Sequence, residues 1–94
     1  MRRAARVDGN QKHIVGIFRK LGATVAHTHM IGQGFPDIVV GYKGLNHLVE
    51  IKDPRMPPSC RKLTQDEQTF FDEWNGSAVI IENEQDCIDL LGAQ

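Results

Sequence analysis

Gly34-Phe35-Pro36-Asp37-Ile38-Val39-Val40-Gly41-Tyr42-Lys43-Gly44-Leu45-Asn46-His47-Leu48-Val49-Glu50-Ile51-Lys52 is the stretch that decides how this chain folds. The β-branched run from Asp37 to Tyr42 predicts a mostly buried strand, and His47 to Lys52 predicts a second. Lys43-Gly44-Leu45-Asn46 is turn material, and so short a link favours an antiparallel hairpin. Side chains alternate along a strand, so Glu50 and Lys52 project from the same side. A hairpin also brings the start of one strand beside the end of the other. Asp37 is therefore expected next to Glu50 and Lys52, between a Gly-rich loop (Ile31 to Phe35) and a basic, Pro-rich one.

Upstream of the hairpin, Ile14, Val15, Ile17, Phe18 and Leu21 recur at helical spacing and predict a helix over 11–21 with one buried face. Asp8 or Asn10 is placed to cap its start, and Gly22 stands where a left-handed residue is wanted. Thr24 to Thr28 reads as a short strand. Downstream, Asp53 to Lys62 contains Pro54, Pro57 and Pro58 and is expected to be a stiff loop without regular structure. Thr64-Gln65-Asp66-Glu67 matches a capping box. The helix it begins carries Phe70, Phe71 and Trp74 and ends near Gly76. Ser77 to Glu82 follows as a strand, then Asn83 to Leu91 as a helix with Cys87, Ile88 and Leu91 inward. The predicted order is α-β-β-β-α-β-α.

Composition bounds the rest. Ninety-four residues, 40% of them hydrophobic and 24% charged, fit a single globular domain over 1–94, with 1–9 as a flexible basic arm. So short a chain offers little room for a deep pocket and is a candidate for stabilisation by a partner subunit. No apolar run approaches the roughly 20 residues of a membrane span, and Arg2 and Arg3 lead into no apolar stretch of a secretory signal. Cys60 and Cys87 lack the spacing of a zinc knuckle or a disulfide framework, which makes a reducing, cytoplasmic setting the default expectation. The net charge of −1 conceals an asymmetry. Residues 1–62 carry all eleven Lys and Arg against four acids, whereas residues 63–94 carry eight acids and no base. Such a chain can present a basic face despite a near-neutral total.

Two carboxylates meeting at one point suit Mg²⁺ or Mn²⁺, which take a few oxygen ligands and keep several waters. The Ile51 carbonyl, between Glu50 and Lys52, could add a third oxygen. A bound divalent ion activates water and stabilises phosphoryl charge, and an adjacent lysine orients the attacking water or neutralises developing charge. These are the requirements of phosphodiester hydrolysis. Competing clusters are weaker. His27, His29 and His47 are scattered on strands, as packing or substrate-contact residues are. Asp66 and Glu67 suit a helix N-terminus, Asp72 and Glu73 a solvated surface, and Phe70, Phe71 and Trp74 a core or interface.

The ordered set resembles a known family. Gly34-Phe35-Pro36-Asp37 followed by Glu50-Ile51-Lys52 is similar to the PD-(D/E)XK nuclease signature on its αβββαβ, restriction-endonuclease-like core, a central mixed sheet flanked by helices. With Asn10-Gln11…Ile14-Val15 and Lys62-Leu63-Thr64 through Gln68, the chain resembles the stand-alone VRR-NUC (virus-type replication-repair nuclease) domains found in phages, from about Arg6 to Leu91. The resemblance implies a Mg²⁺- or Mn²⁺-dependent DNA endonuclease leaving 5′-phosphate and 3′-hydroxyl ends. A homodimeric Holliday-junction resolvase, working in a bacterial host's cytoplasm if phage-encoded, is the form it implies. Asp37 and Glu50 would be metal ligands and Lys52 the catalytic lysine. Gln68, three residues before Phe71, would face the site from its helix. Gln11 stands where relatives often carry a glutamate and brings no charge. Arg2, Arg3 and Arg6 on the arm, with Arg55, Arg61 and Lys62 after the catalytic strand, would contact DNA phosphates. A nuclease acting on flaps, nicks or duplex, or a non-catalytic DNA-binding module, are the alternatives.

Overall fold

The computed structural model describes residues 9–92; the arm residues Arg2, Arg3 and Arg6 and the candidate cap Asp8 lie outside them. The chain forms α1 (Gln11–Lys20), β1 (Thr24–His27), β2 (Ile38–Tyr42), β3 (Leu45–Ile51), α2 (Pro58–Arg61), α3 (Gln65–Glu73), β4 (Ala78–Ile81) and α4 (Glu84–Gly92). This is an α/β domain built on one four-stranded mixed sheet in the order β1-β2-β3-β4. β1, β2 and β3 run antiparallel to their neighbours, and β4 joins β3 in parallel, as the intervening helices allow. No helix among the described residues is long and apolar enough to cross a membrane.

The hairpin forms, with a tighter turn than expected. Tyr42 pairs directly with Leu45, leaving a two-residue loop at Lys43 and Gly44. Both take positive φ, 51° and 82°, the mirror-image turn that matches the twist of flanking strands. Leu45 and Asn46 therefore belong to β3 rather than to the turn.

Alternation then divides the sheet. Ile38, Val40, Val49, Ile51 and Ile81 form one apolar face, and Ile14, Val15 and Phe18 of α1 with Cys87 and Leu91 of α4 close over it as a single core. Phe18 is the largest of the fully buried side chains. Ile88 departs from expectation. It is 41% exposed, because Cys87 and Leu91 set the buried stripe at i and i+4 and Ile88 lies a helical step aside.

Three further details correct the sequence reading. Asn10 stands at the N-cap of α1 but makes no side-chain cap. Its amide donates instead to the carbonyls of Lys52 (3.0 Å) and Glu82 (2.8 Å), tying the start of α1 to the ends of β3 and β4. The Pro-rich segment is not wholly irregular, since Pro57 and Pro58 lead into the single turn α2. Proline suits that place because the first helical N–H groups have no intrahelical partner in any case. Finally, Gly34 (φ 82°) is fixed by more than its dihedral. A Cβ there would lie 2.3 Å from the Asp66 carbonyl oxygen, so the loop before β2 presses on the first turn of α3.

Candidate active site

The opposite face of the hairpin carries the polar residues. Ile38 pairs with Val49, and continuing that register by one residue sets Asp37 across from Glu50. Asp37 Oδ2 accepts a 2.8 Å hydrogen bond from the Ile51 N–H, which locks the carboxylate against the end of β3. The Leu48 and Lys52 N–H groups point the other way, to Ser77 and Ile81 at β4. The N–H and carbonyl of one strand residue lie on the same edge, so the Ile51 carbonyl also lies on the Asp37 side.

Glu50, Lys52 and Asp53 are all buried, at 3%, 7% and 7% exposure. Lys52 Nζ sits 3.5 Å from Glu50 Oε2 and 3.0 Å from Glu67 Oε1. Burial pushes the Glu50 carboxyl up to about 9, and the neighbouring charges of Asp37 and Glu67 push in the same direction. Burial works against the Lys52 ammonium, yet its hydrogen bond to Glu67 and the charges of Glu67 and Glu50 outweigh that and raise its pKa. Burial likewise disfavours a charged Glu67. The Thr64 N–H and Lys52 overcome it and hold its pKa low. The centre therefore combines a charged pair, Lys52 and Glu67, with a carboxyl that holds its proton at neutral pH in the absence of a cation.

Glu67 is the site residue that sequence reasoning missed. Thr64 and Glu67 do form the expected capping box, which accounts for an acid at that position without a second role. The same Oε1 that accepts from the Thr64 N–H (2.9 Å) also accepts from Lys52 Nζ (3.0 Å). α3 thus delivers one carboxylate to the end of the sheet. Its approach is set by Gly34 against Asp66 and by Phe35, which meets the Phe70 ring edge-on at 5.2 Å. Phe70 in turn stacks on Trp74.

Gln68 does not face the site. It is exposed and donates to Asp72 Oδ1 at 2.9 Å, because the half-buried positions of α3 are Glu67, Phe70 and Phe71, one position away from Gln68 in phase. Gln11 is buried at 2% exposure but turns toward β1, where its Nε2 meets His27 Nδ1 at 3.2 Å. Arg55 is not free. It pairs in bidentate fashion with Asp53 at 2.9 and 2.7 Å, which draws that carboxyl down to about 2. Lys62 is exposed and Arg61 half-buried on the same loop.

For a metal ion, the chemistry of the donors can be tested directly. No group of three or more His, Cys, Asp or Glu side chains suited to hold a metal occurs among the described residues. Mg²⁺, by contrast with zinc or calcium cages, needs only one or two carboxylates and keeps its waters. Glu50 Oε1 is buried without any hydrogen-bond partner. An unpaired carboxyl oxygen opposite Asp37, on a group whose proton a cation would displace, fits a hard divalent cation. Asp37 and Glu50 with the Ile51 carbonyl are the atoms that could hold one. Comparison with family models, with curated proteins and with solved structures gives no match, so the site is read on its own geometry.

Proposed function

We propose that this protein is a divalent-metal-dependent, structure-selective DNA endonuclease of the PD-(D/E)XK kind, cutting four-way junctions as a homodimer. The observation that carries the reading is the meeting of Asp37, Glu50 and Lys52 at one end of adjacent strands, with Glu50 Oε1 left unanswered. We read the order α1-β1-β2-β3-α3-β4 as the restriction-endonuclease-like core that the sequence resemblance implies, and a reducing cytoplasmic setting belongs to the same reading.

Asp37, Glu50 and the Ile51 carbonyl would hold Mg²⁺ or Mn²⁺, and the bound ion would supply Lewis acidity and a water of lowered pKa. The protein's own share is positional and electrostatic. Ile51 N–H fixes the Asp37 carboxylate. Lys52, kept an ammonium by Glu67 and Glu50, neutralises charge that gathers on the phosphoryl oxygens as water bonds to phosphorus. It serves as a cation and not as a base. Glu67 anchors Lys52 from the capped start of α3. The bond between phosphorus and the 3′ oxygen breaks, leaving 5′-phosphate and 3′-hydroxyl ends.

A dimer rests on two considerations. A four-way junction has two symmetric cleavage points, which a two-fold pair of sites matches. The chain also exposes large apolar residues, among them Met30 and Ile31 (59% each), Trp74 (44%) and Ile80 (42%). The test offers the protein a four-way junction, a flap, a nick and linear duplex with Mg²⁺ or Mn²⁺, then with EDTA. The reading expects paired cuts in the junction, suppressed by EDTA. Equal cutting of all four sinks junction selectivity, and DNA binding without any cutting points to the non-catalytic module. A monomeric mass by light scattering at working concentration sinks the dimer.

A further inference from the structure

Outside the Asp37–Glu50–Lys52 centre, α1 contains two residues that its own stability does not explain. Gly16 lies in the helix interior, where glycine is among the least favourable residues, yet a Cβ there would meet nothing within 4 Å. Lys12 stands at the second position of α1, where the helix dipole disfavours a cation, and no acid in the first turn offsets it. Both border a groove of about 490 Å³ between α1 and the end of β1. Arg19, His27 and His29 line the same groove, and no acid among the described residues does. Its inner wall holds two buried polar atoms without partners, Gln11 Oε1 and His29 Nδ1. Native interiors seldom leave such groups unanswered. On the other flank of α1, Lys12 and Gly16 also border a second groove, with His13, Lys20 and a single acid, Glu84. Gly16 is thus a notch in a basic helix face, open on both sides.

We infer that this face of α1 docks the sugar-phosphate backbone of duplex DNA, a phosphate crossing the Gly16 notch between Lys12 and Arg19. The absent side chain at residue 16 lets the backbone approach the helix. The cations supply the sequence-independent attraction that phosphate contacts give. Thr28, between His27 and His29, donates to the carbonyls of Asp37 and Pro36, each at 2.8 Å, which places the β1 end of the groove beside the start of β2. The inference rests on the nuclease reading and adds to it the surface that grips one duplex arm.

The test measures fluorescence anisotropy of a fluorescein-labelled four-way junction and of duplex DNA in EDTA, with the full chain, across a salt series. The double variant Lys12→Gln/Arg19→Gln is expected to bind about ten-fold more weakly, with the slope of log K against log salt reduced by about two. Gly16→Ala is expected to raise Tm, since space is open and alanine favours helix, while weakening binding several-fold. Opposite movement of stability and affinity is a result that a merely structural glycine would not give. Unchanged affinity and slope in the double variant overturn the inference, as does Gly16→Ala with raised Tm and wild-type affinity. Tighter binding of duplex RNA than of duplex DNA overturns the DNA assignment. The two readings separate cleanly: wild type that cuts the junction while the α1 variants bind normally leaves the nuclease standing, whereas wild type that binds no DNA removes both.

Discussion

Consecutive residues of one hairpin serve opposite ends. On one face of β2 and β3, Ile38, Val40, Val49 and Ile51 are dry and packed beneath α1 and α4. On the other, Glu50 and Lys52 are buried and Asp37 half-buried, yet two carboxyls stand close together and a carboxyl oxygen of Glu50 is left unpaired. The apolar face is where local pattern, packing and burial agree, so it holds the fold. The polar face buries charge that an apolar substitute would accommodate more cheaply, so its composition is explained by chemistry and not by stability. A buried side chain is informative about function when its neighbours fail to satisfy it.

Substitutions on the two faces should therefore part company. The largest effect is expected at Phe18→Ala, which empties the centre of the apolar face. A loss of about 3–5 kcal/mol is typical of such a cavity, read as a fall in Tm or in urea midpoint. A small loss would mean that α1 is less firmly seated than its burial implies. Next comes Lys52→Met, which leaves the fold's core untouched and removes the cation facing the phosphoryl group. Cleavage is expected to fall by about 10²–10³-fold, measured at saturating Mn²⁺ on material shown by circular dichroism to be folded. Wild-type cleavage would remove Lys52 from the mechanism. Smaller still is Thr64→Ala, which breaks half of the capping box and costs about 1 kcal/mol of stability. The Thr64 N–H still donates to Glu67 Oε1 in that variant, so the Lys52–Glu67 pair and the cleavage rate should hold. A fall in rate beyond the stability loss would show that the Thr64 hydroxyl also positions Glu67.

How legible was this from sequence? The hairpin, the capping box and the left-handed Gly22 (φ 96°) were readable because each depends on residues close in the chain. The pairing of Asp37 with Glu50 was readable because strand alternation and a short turn leave few other registers. Gln68 was misplaced because Phe71 is on the inner face together with Glu67 and Phe70, and Gln68 lies one position round the helix from them. Helical phase over nine residues is easily shifted by one position. Glu67 was hidden by its own explanation. A cap accounts for the acid locally, and only the tertiary approach of α3 to Lys52 reveals the second use. The role of Asn10 is similar, since its partners Lys52 and Glu82 lie 42 and 72 residues away.

Glu50 is where the two faces can be set against each other in one residue. In the metal-free protein its folded-state pKa lies near 9, above the ordinary 4.5. The stability this group contributes is complete below pH 4.5 and is lost as pH rises through 9, because the folded state holds a proton the unfolded chain releases. Glu50→Gln carries no charge to bury. In EDTA, wild-type Tm should fall between pH 5 and 9 while that of Glu50→Gln stays nearly level and exceeds it at pH 8. With Mg²⁺ or Mn²⁺ at pH 8, wild type should cut a labelled four-way junction, and the more stable variant should not. Junction cleavage by Glu50→Gln at the wild-type rate, or none by folded wild type with either metal, would contradict the account.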